Sequence, residues 1–198
     1  INSLGEAPYV PVVQQSLTIP ARQHGIQIAA GAQIYLPPNI AGYVGADHTA
    51  AILATRIQDS AQTLCLIDIG TNTEISLIHQ GRIYACSCAS GPAFEGAHIQ
   101  DGMRAAPGAI DLVKIENNQI ELSTIGQKPP SGICGSGILS IMAEMRRNQI
   151  IDHRGVFDRD HVLVDKQHKN LVLYSSENGN QIRITRKDVN EVQLAKGA

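Results

Sequence analysis

The sequence lacks blocks of basic residues and long apolar runs. Its 198 residues include 16 lysines and arginines against 18 aspartates and glutamates, which gives a formal net charge of −2. No segment offers the basic footprint that a nucleic-acid-binding protein presents. No apolar segment approaches the roughly 20 residues that a membrane-spanning helix needs. We therefore expect neither a nucleic-acid partner nor a membrane anchor, while 43% apolar residues are enough to form a core.

Both ends of the sequence also lack expected features. Residues 1–5 contain no initiator methionine, no basic flank and no long apolar segment, so they do not resemble a signal peptide. At the other end, a helical face begins at Val189 and the sequence stops at Ala198, although Gly197 would also suit a natural helix end. We expect a cytoplasmic protein and a chain truncated at both ends, part of a larger protein.

Cysteine motifs of metal sites are missing as well. The four cysteines are Cys65, Cys86, Cys88 and Cys134, and none has the Cys-x-x-Cys spacing that zinc and iron–sulfur sites often use. Cys86 and Cys88 would point to the same side of a strand, but a metal site normally needs four ligands. We expect reduced, buried structural cysteines rather than a disulfide framework or a metal site.

The residue pattern predicts a mixed α/β fold with antiparallel hairpins. Alternating apolar runs bounded by turn residues predict strands at 33–36, 63–69, 74–79, 82–88, 110–116, 119–124, 162–165, 171–175 and 181–185. Helices are predicted at 45–57, at 136–148 and after a capping box formed by Thr185 and Asp188. Residues 1–44 are rich in proline and glycine. We expect them to pack as a crossover segment on a single domain of residues 45–198.

The hairpin around residues 64–78 has the most informative turn. An apolar run ends in Asp68, and Gly70, Thr71 and Asn72 follow before a second alternating run begins. Such a turn can offer backbone N–H groups and a hydroxyl to a phosphate, while Asp68 can hold a metal ion or its waters. An ordinary hairpin with an Asx-type turn explains the same residues equally well.

Three other segments contain residues of chemical interest. Asp47 would begin a helix, either as a capping carboxylate or as a group that orients water for attack on a phosphoryl group. Glu95 lies in a loop rich in glycine and alanine, which suits either the wall of a site or a structural crossover. The loop at 132–137 would open a helix and could accept an anion or lie against a flat ring, although it is not a P-loop.

Taken in order, these segments resemble the superfamily of acetate kinases, sugar kinases, Hsp70 and actin. In that fold, an Asp-x-Gly-x-Asn/Thr hairpin of the second lobe grips the terminal phosphates of ATP, and residues 68–72 are similar. In the glycerol kinase branch, a Gly-x-x-Gly-Asp-x-x-Ala-Ala segment supplies the catalytic base. Residues 42–51 are similar, with Ala46 inserted between Gly45 and Asp47.

A narrower resemblance covers nearly the whole chain, from Ala7 to the last helix. It rests on the strings at 67–72, 91–99, 102–110 and 132–137. These strings are similar to the ATPase domain of reductive activators of corrinoid proteins. Members of that family couple ATP hydrolysis to the electron transfer that returns an inactivated Co(II) corrinoid to Co(I) on a methyl-transfer partner.

This resemblance implies part of a ribonuclease H-like fold of the actin, Hsp70 and sugar-kinase type, mostly its second lobe. Asp47 would orient the attacking water, and Asp68 would approach Mg²⁺ through water. ATP would contact the following residues: Gly70, Thr71, Asn72, Glu95, Gly132, Gly135, Ser136 and Gly137. The implied partners are a corrinoid protein of a methyltransferase system and an electron donor acting through an iron–sulfur cluster in a separate domain. A homodimer is compatible with the same resemblance.

Two alternatives belong to other functional classes. A small-molecule kinase of the same superfamily would use Asp47 to deprotonate a substrate hydroxyl instead of positioning water. A non-catalytic module would keep the fold only as a surface for docking a protein. Phosphoryl transfer to a small acceptor distinguishes the first alternative, and indifference to the loss of Asp47 and Asp68 distinguishes the second.

Overall fold

The fold is described from a computed structural model that covers residues 5–6 and 9–198. Ala7 and Pro8, where the resemblance to corrinoid activators begins, lie outside these described residues. Within the described part of the chain, no helix is both long enough and apolar enough to cross a membrane.

The chain divides into two compact units. The first unit consists of Ile1–Ile69 and Thr73–Cys88, and the second unit consists of Gly70–Asn72 and Ala89–Ala198. These two units reflect which residues pack together. The domain boundary expected at residue 44 stays a prediction.

The regular elements follow the predicted α/β pattern closely. The strands are β1 (Leu17–Pro20), β2 (Gln33–Leu36), β3 (Leu64–Ile69), β4 (Thr73–His79), β5 (Arg82–Cys88), β6 (Ala109–Glu116), β7 (Gln119–Thr124), β8 (Gly132–Ile133), β9 (Val164–Asp165), β10 (Asn170–Ser175) and β11 (Gln181–Ile184). The helices are α1 (Ala46–Thr55), α2 (Gly135–Arg147) and α3 (Arg186–Gly197). The sequence pattern missed β1, which pairs antiparallel with β2.

The first unit is built on the three-stranded antiparallel sheet β3–β4–β5. Asp68 lies opposite Glu74, and Ile69 opposite Thr73, so β3 and β4 form the expected hairpin. Because side chains alternate across a strand, Ser76 and Ile78 of β4 share one face, and both are buried. That buried face is the one that meets His48 of helix α1.

The opposite face of this sheet is apolar and exposed. It carries Ile67, Leu77 and Tyr84, which lie on three different strands and are about half exposed. Cys65 and Cys86 lie on the same face and are also exposed, so the expectation of buried cysteines is wrong for these two. Cys65 was expected to be buried because it lies in an apolar strand, but it lies on the exposed face of the sheet.

The remaining cysteine predictions have mixed outcomes. Cys88 is partly exposed, whereas Cys134 is buried as expected, and all four thiols are free. Desolvation, followed by the neighbouring Cys88 and then Cys65, raises the pKa of the Cys86 thiol, which disfavours the reactive thiolate. Among the described residues, no group of three or more metal-binding side chains is positioned to hold an ion.

The second unit contains the main hydrophobic core. Strand β6 pairs antiparallel with β7 and parallel with β8, and helix α2 presents buried residues such as Ile138, Ile141 and Met145. These residues join one cluster with buried positions of β6, β10, β11 and α3. The predicted capping box is confirmed, because the Thr185 hydroxyl accepts from the Asp188 N–H while the Asp188 carboxylate accepts from the Thr185 N–H.

Candidate functional site

The turn that follows Asp68 in sequence is fixed by backbone hydrogen bonds. The Gly70 N–H donates to the Asn72 carbonyl at 3.1 Å, and the Gly91 N–H donates to the Thr71 carbonyl at 2.8 Å. These bonds use the carbonyl oxygens of Thr71 and Asn72 as acceptors. The exposed Thr71 still has its own N–H and its hydroxyl as donors. The turn therefore presents Thr71 as a donor on a fixed backbone.

Both donors of Thr71 hold the carboxylate of Glu95. The Thr71 N–H donates to Oε1 at 2.9 Å, and the Thr71 hydroxyl donates to Oε2 at 2.8 Å. The side-chain and backbone hydrogen bonds from Thr71 hold the pKa of Glu95 below its usual value, with a smaller contribution from the Arg104 charge. Thr71 therefore already binds an anion, and the same donor geometry suits a phosphate oxygen.

Glycine suits position 70 because the Glu95 carboxylate approaches the backbone closely. A Cβ added to Gly70 would lie 3.0 Å from Glu95 Oε1 and 3.2 Å from the Asn72 carbonyl oxygen. A side chain at this position would therefore crowd any anion held by Thr71. The short 3₁₀ turn Pro92–Glu95 that carries Glu95 lies between Gly91 and Gly96, which have φ values of 80° and 86°.

Asp68 lies near the end of β3 in the first unit. Its side chain is 51% exposed, so its carboxylate can accept from water or approach a hydrated ion. Mg²⁺ commonly uses one or two carboxylates, several waters and substrate phosphates rather than a cage of protein ligands. A single accessible carboxylate therefore fits a water-mediated magnesium contact.

Asp47 is the second residue of helix α1, and Gly45 is the N-cap. Asp47 lies in the first turn of the helix as expected, but the interpretation of Asp47 as the capping residue is wrong, because Gly45 holds that position and no side chain caps it. Its Oδ1 accepts the backbone N–H of His48 at 2.9 Å, and a Cβ on Gly45 would come within 2.8 Å of that oxygen. The carboxylate is exposed, so it accepts one N–H of the first helical turn, where a negative charge is favourable, and still reaches solvent.

Sequence reasoning missed two buried polar residues beside these carboxylates. His48 and Ser76 are both fully buried, and His48 Nε2 lies 2.8 Å from the Ser76 hydroxyl. The other ring nitrogen of His48 lies 4.0 Å from Asp68 Oδ2. His48 therefore follows Asp47 in the chain and lies close to Asp68 on β3. A histidine at the start of a helix gives no sign of such a contact before the strand register is known.

The glycines of the 132–137 loop serve close packing within the second unit. A Cβ on Gly135 would overlap the Phe94 carbonyl, and a Cβ on Gly137 would overlap the Ile110 carbonyl. Gly132 is also buried, and a Cβ there would lie 2.8 Å from the Met103 sulfur. The contact at Phe94 brings the start of α2 next to Glu95. Whether Ser136 and these glycines contact a nucleotide stays a prediction.

Comparison with known families shows which family this chain belongs to. Residues 62–198 match the profile described as the C-terminal domain of RACo, the ASKHA domain. The chain belongs to the RACo family. Residues 1–60 match the profile of the RACo middle region, so the two matches together extend over nearly all of the sequence.

Known relatives of this RACo-family chain carry related names. It is 36% identical over 209 residues to the corrinoid activation enzyme RamQ of Eubacterium limosum, covering 98% of this chain and 35% of that protein. It is 29% identical over 196 residues to a Co(II) methylated amine-specific corrinoid protein reductase of Methanosarcina barkeri, covering 88% of this chain and 34% of that protein. The chain therefore spans about a third of the length of the curated relatives it matches.

A solved structure of the same family has a similar fold. The structure of a reductive activator for corrinoid, iron–sulfur protein matches with a TM-score of 0.84 and 36% sequence identity. The match covers 98% of this chain and 32% of the solved chain. Both the mixed α/β fold and the expected membership of the corrinoid activators are confirmed.

Proposed function

We propose that this chain is the nucleotide-responsive part of an ATP-dependent reductive activator, which returns Co(II) on a corrinoid protein to Co(I) for methyl transfer. The observation that supports this most strongly is the pair of Thr71 donors holding an anion directly after Asp68 and Gly70. RACo-family membership supplies the reaction class, because relatives bear the names of corrinoid activators and reductases. The finer fold we propose is the second lobe of an actin, Hsp70 and sugar-kinase ATPase.

The roles of the residues follow from their chemistry. The Gly70–Asn72 turn binds terminal phosphate oxygens of ATP through backbone N–H groups and the Thr71 hydroxyl. Asp68 orients a water of the magnesium ion. Mg²⁺, when bound, neutralises the negative charge that develops on the transferred phosphoryl group. Ser136 and the glycines at 132, 135 and 137 are proposed to line the path of the nucleotide.

Asp47 acts on the attacking water. The water oxygen bonds to the terminal phosphorus while the bond to the ADP oxygen breaks, and the water proton passes to Asp47. The cobalt gains one electron from an iron–sulfur donor in a separate domain. Hydrolysis supplies no electron; it changes the relative stability of conformations that bind ATP and ADP differently.

Glu95 competes with the phosphate in this proposal. Its carboxylate satisfies the same Thr71 N–H and hydroxyl that a phosphate oxygen needs, so nucleotide binding requires Glu95 to leave. An exposed carboxylate can rehydrate when it leaves, which limits the free-energy cost of the exchange. Glu95 therefore holds the turn whenever no phosphate oxygen takes these two donors.

The test follows cobalt and phosphate together in the full-length protein. A Co(II) corrinoid protein, an iron–sulfur reductant and ATP are mixed, and Co(I) is followed optically in the wild type, Asp68→Ala and Asp47→Ala. We expect Co(I) only with ATP and only in the wild type. ATP consumption without cobalt reduction, or phosphorylation of a small acceptor, would instead favour a kinase. Unchanged coupling in both variants would favour a docking module.

A further inference from the structure

A fully buried histidine, His48, follows the exposed Asp47 in sequence and lies close to the exposed Asp68. His48 Nε2 lies 2.8 Å from the hydroxyl of Ser76, which is itself fully buried in strand β4. Among the described residues this is the hydrogen bond that the ring makes, and it anchors the Nε2 side of the imidazole to the sheet.

The second ring nitrogen has no hydrogen-bond partner and faces Asp68. His48 Nδ1 is buried without a partner, and the nearest carboxylate oxygen is Asp68 Oδ2 at 4.0 Å. Buried polar atoms are almost always paired in folded proteins, so an unpartnered ring nitrogen 4.0 Å from a half-exposed carboxylate points to an interaction between His48 and Asp68.

We propose that His48 is a positioning residue that holds the Asp68 carboxylate in place for magnesium–nucleotide binding. The Ser76 hydroxyl donates to Nε2, the ring proton lies on Nδ1, and the Nδ1–H faces Asp68 Oδ2. One carboxylate oxygen is thus held by the protein while the other remains available to water. This inference rests on the proposed function, since it assigns Asp68 the magnesium contact.

Electrostatics favours this arrangement over the alternative tautomer. A neutral imidazole has one N–H, and a proton on Nε2 would leave the lone pair of Nδ1 directed at a carboxylate. Glu74, which lies opposite Asp68 across the strand pair, accepts a hydrogen bond from the Ser87 hydroxyl at 2.9 Å. Asp68 is therefore the carboxylate that His48 can orient. Outer partners of this kind typically change metal affinity by roughly 10- to 100-fold when removed.

Two amide substitutions separate positioning from packing. In His48→Asn, the amide nitrogen lies near the place of Nδ1 and can still donate to Asp68. In His48→Gln, the amide lies near the place of Nε2 and keeps only the Ser76 contact. In the full-length protein, ATP affinity is measured with Mg²⁺ and with a chelator. We expect His48→Gln to lose roughly tenfold of the Mg²⁺-dependent affinity, and His48→Asn to stay within about threefold of the wild type.

A second readout needs no nucleotide. The ¹⁵N resonances of the His48 ring are recorded in the wild type, Asp68→Asn and Ser76→Ala. We expect the proton on Nδ1, a shift of the Nδ1 resonance in Asp68→Asn, and a shift of the Nε2 resonance in Ser76→Ala. A proton found on Nε2 alone overturns the proposal.

The outcomes separate this inference from the proposed function. Equal losses in His48→Asn and His48→Gln, or no loss in either, would make His48 a packing residue and overturn the positioning role. If the wild type shows no Mg²⁺-dependent ATP binding, the proposed function fails, and the positioning role for magnesium fails with it. In that case the ring resonances still decide whether His48 holds Asp68.

Discussion

The two units of this chain differ in where their apolar residues lie. The second unit buries one large cluster that runs from Ala93 to Ala195. The first unit buries few large apolar side chains, and its β3–β4–β5 sheet leaves Ile67, Leu77 and Tyr84 about half exposed. Since buried apolar area is the main source of stability, the second unit has the more stable packing.

The polar residues around the proposed catalytic carboxylates lie instead in the first unit. Asp47, Asp68, His48 and Ser76 all belong to the first unit. The second unit supplies the Gly70–Asn72 turn and its anion, Glu95. The comparison teaches that the residues with the proposed catalytic roles lie on the less buried part of the molecule, where local changes cost less free energy.

A pair of large-to-small substitutions tests the difference in packing. Ile141→Ala removes a fully buried side chain of helix α2, and we expect it to lower the free energy of unfolding by about 2–5 kcal/mol. Leu77→Ala removes a side chain of β4 that is 42% exposed, and we expect a loss below about 1 kcal/mol. Denaturant unfolding of the two variants measures both values. Equal losses would contradict the comparison.

Asp47→Asn tests the proposed catalytic role of the first unit. The amide keeps an oxygen that can accept the His48 N–H, so the helix start should be preserved, but it cannot accept a proton from water. We expect ATP hydrolysis to fall by at least about 100-fold, which is typical for loss of a general base. Asp59→Asn is the matched control, because Asp59 is an exposed carboxylate that pairs with the exposed Arg56. A normal rate in Asp47→Asn would remove Asp47 from the mechanism.

Glu95→Gln tests the competition at the turn. The neutral amide can still accept from Thr71, but hydrogen bonds to a neutral acceptor are weaker than those to a carboxylate. We expect ATP to bind roughly three- to tenfold more tightly, as the turn is vacated more easily. Glu116→Gln, a change at an exposed residue ending β6, should leave the affinity unchanged. Weaker ATP binding in Glu95→Gln would mean that Glu95 assists the nucleotide instead of competing with it.

The smallest effect we expect is a change in how the stability of the protein depends on pH. Thr71 holds the pKa of Glu95 low in the folded state, so this contact stabilises the fold above the ordinary glutamate pKa of about 4.3. The contribution is lost as pH falls through the lower, folded pKa. Glu95→Gln should therefore melt below the wild type near pH 7, and the two melting temperatures should converge in acid. A difference that is constant with pH would contradict the assigned contact.

Local sequence signals predicted the elements well. The hairpin strands, the α2 helix and the capping box of Thr185 and Asp188 were confirmed because each depends on residues close together in the chain. The parallel pairing of β8 with β6 was not foreseen, since two residues carry too little pattern to predict a partner.

Burial and long-range polar contacts were less predictable. Cys65 lies in an apolar run that favoured a buried thiol, and nothing local revealed that Cys65 would be exposed. The His48–Ser76 contact joins residues 28 positions apart, and the Thr71–Glu95 contact joins residues 24 positions apart. The resemblance placed Glu95 near the nucleotide, but only the fold shows that its carboxylate occupies the donors of the turn.

The central claim is that the turn after Asp68 holds the terminal phosphates of ATP. Its most direct test compares the affinities of ATP, ADP and AMP, each with Mg²⁺, in the full-length wild type and in Asp68→Asn. The account predicts that the wild type binds ATP and ADP at least about tenfold more tightly than AMP, and that the variant loses most of this preference. Equal affinity for all three nucleotides in the wild type, or an unchanged preference in Asp68→Asn, would contradict it.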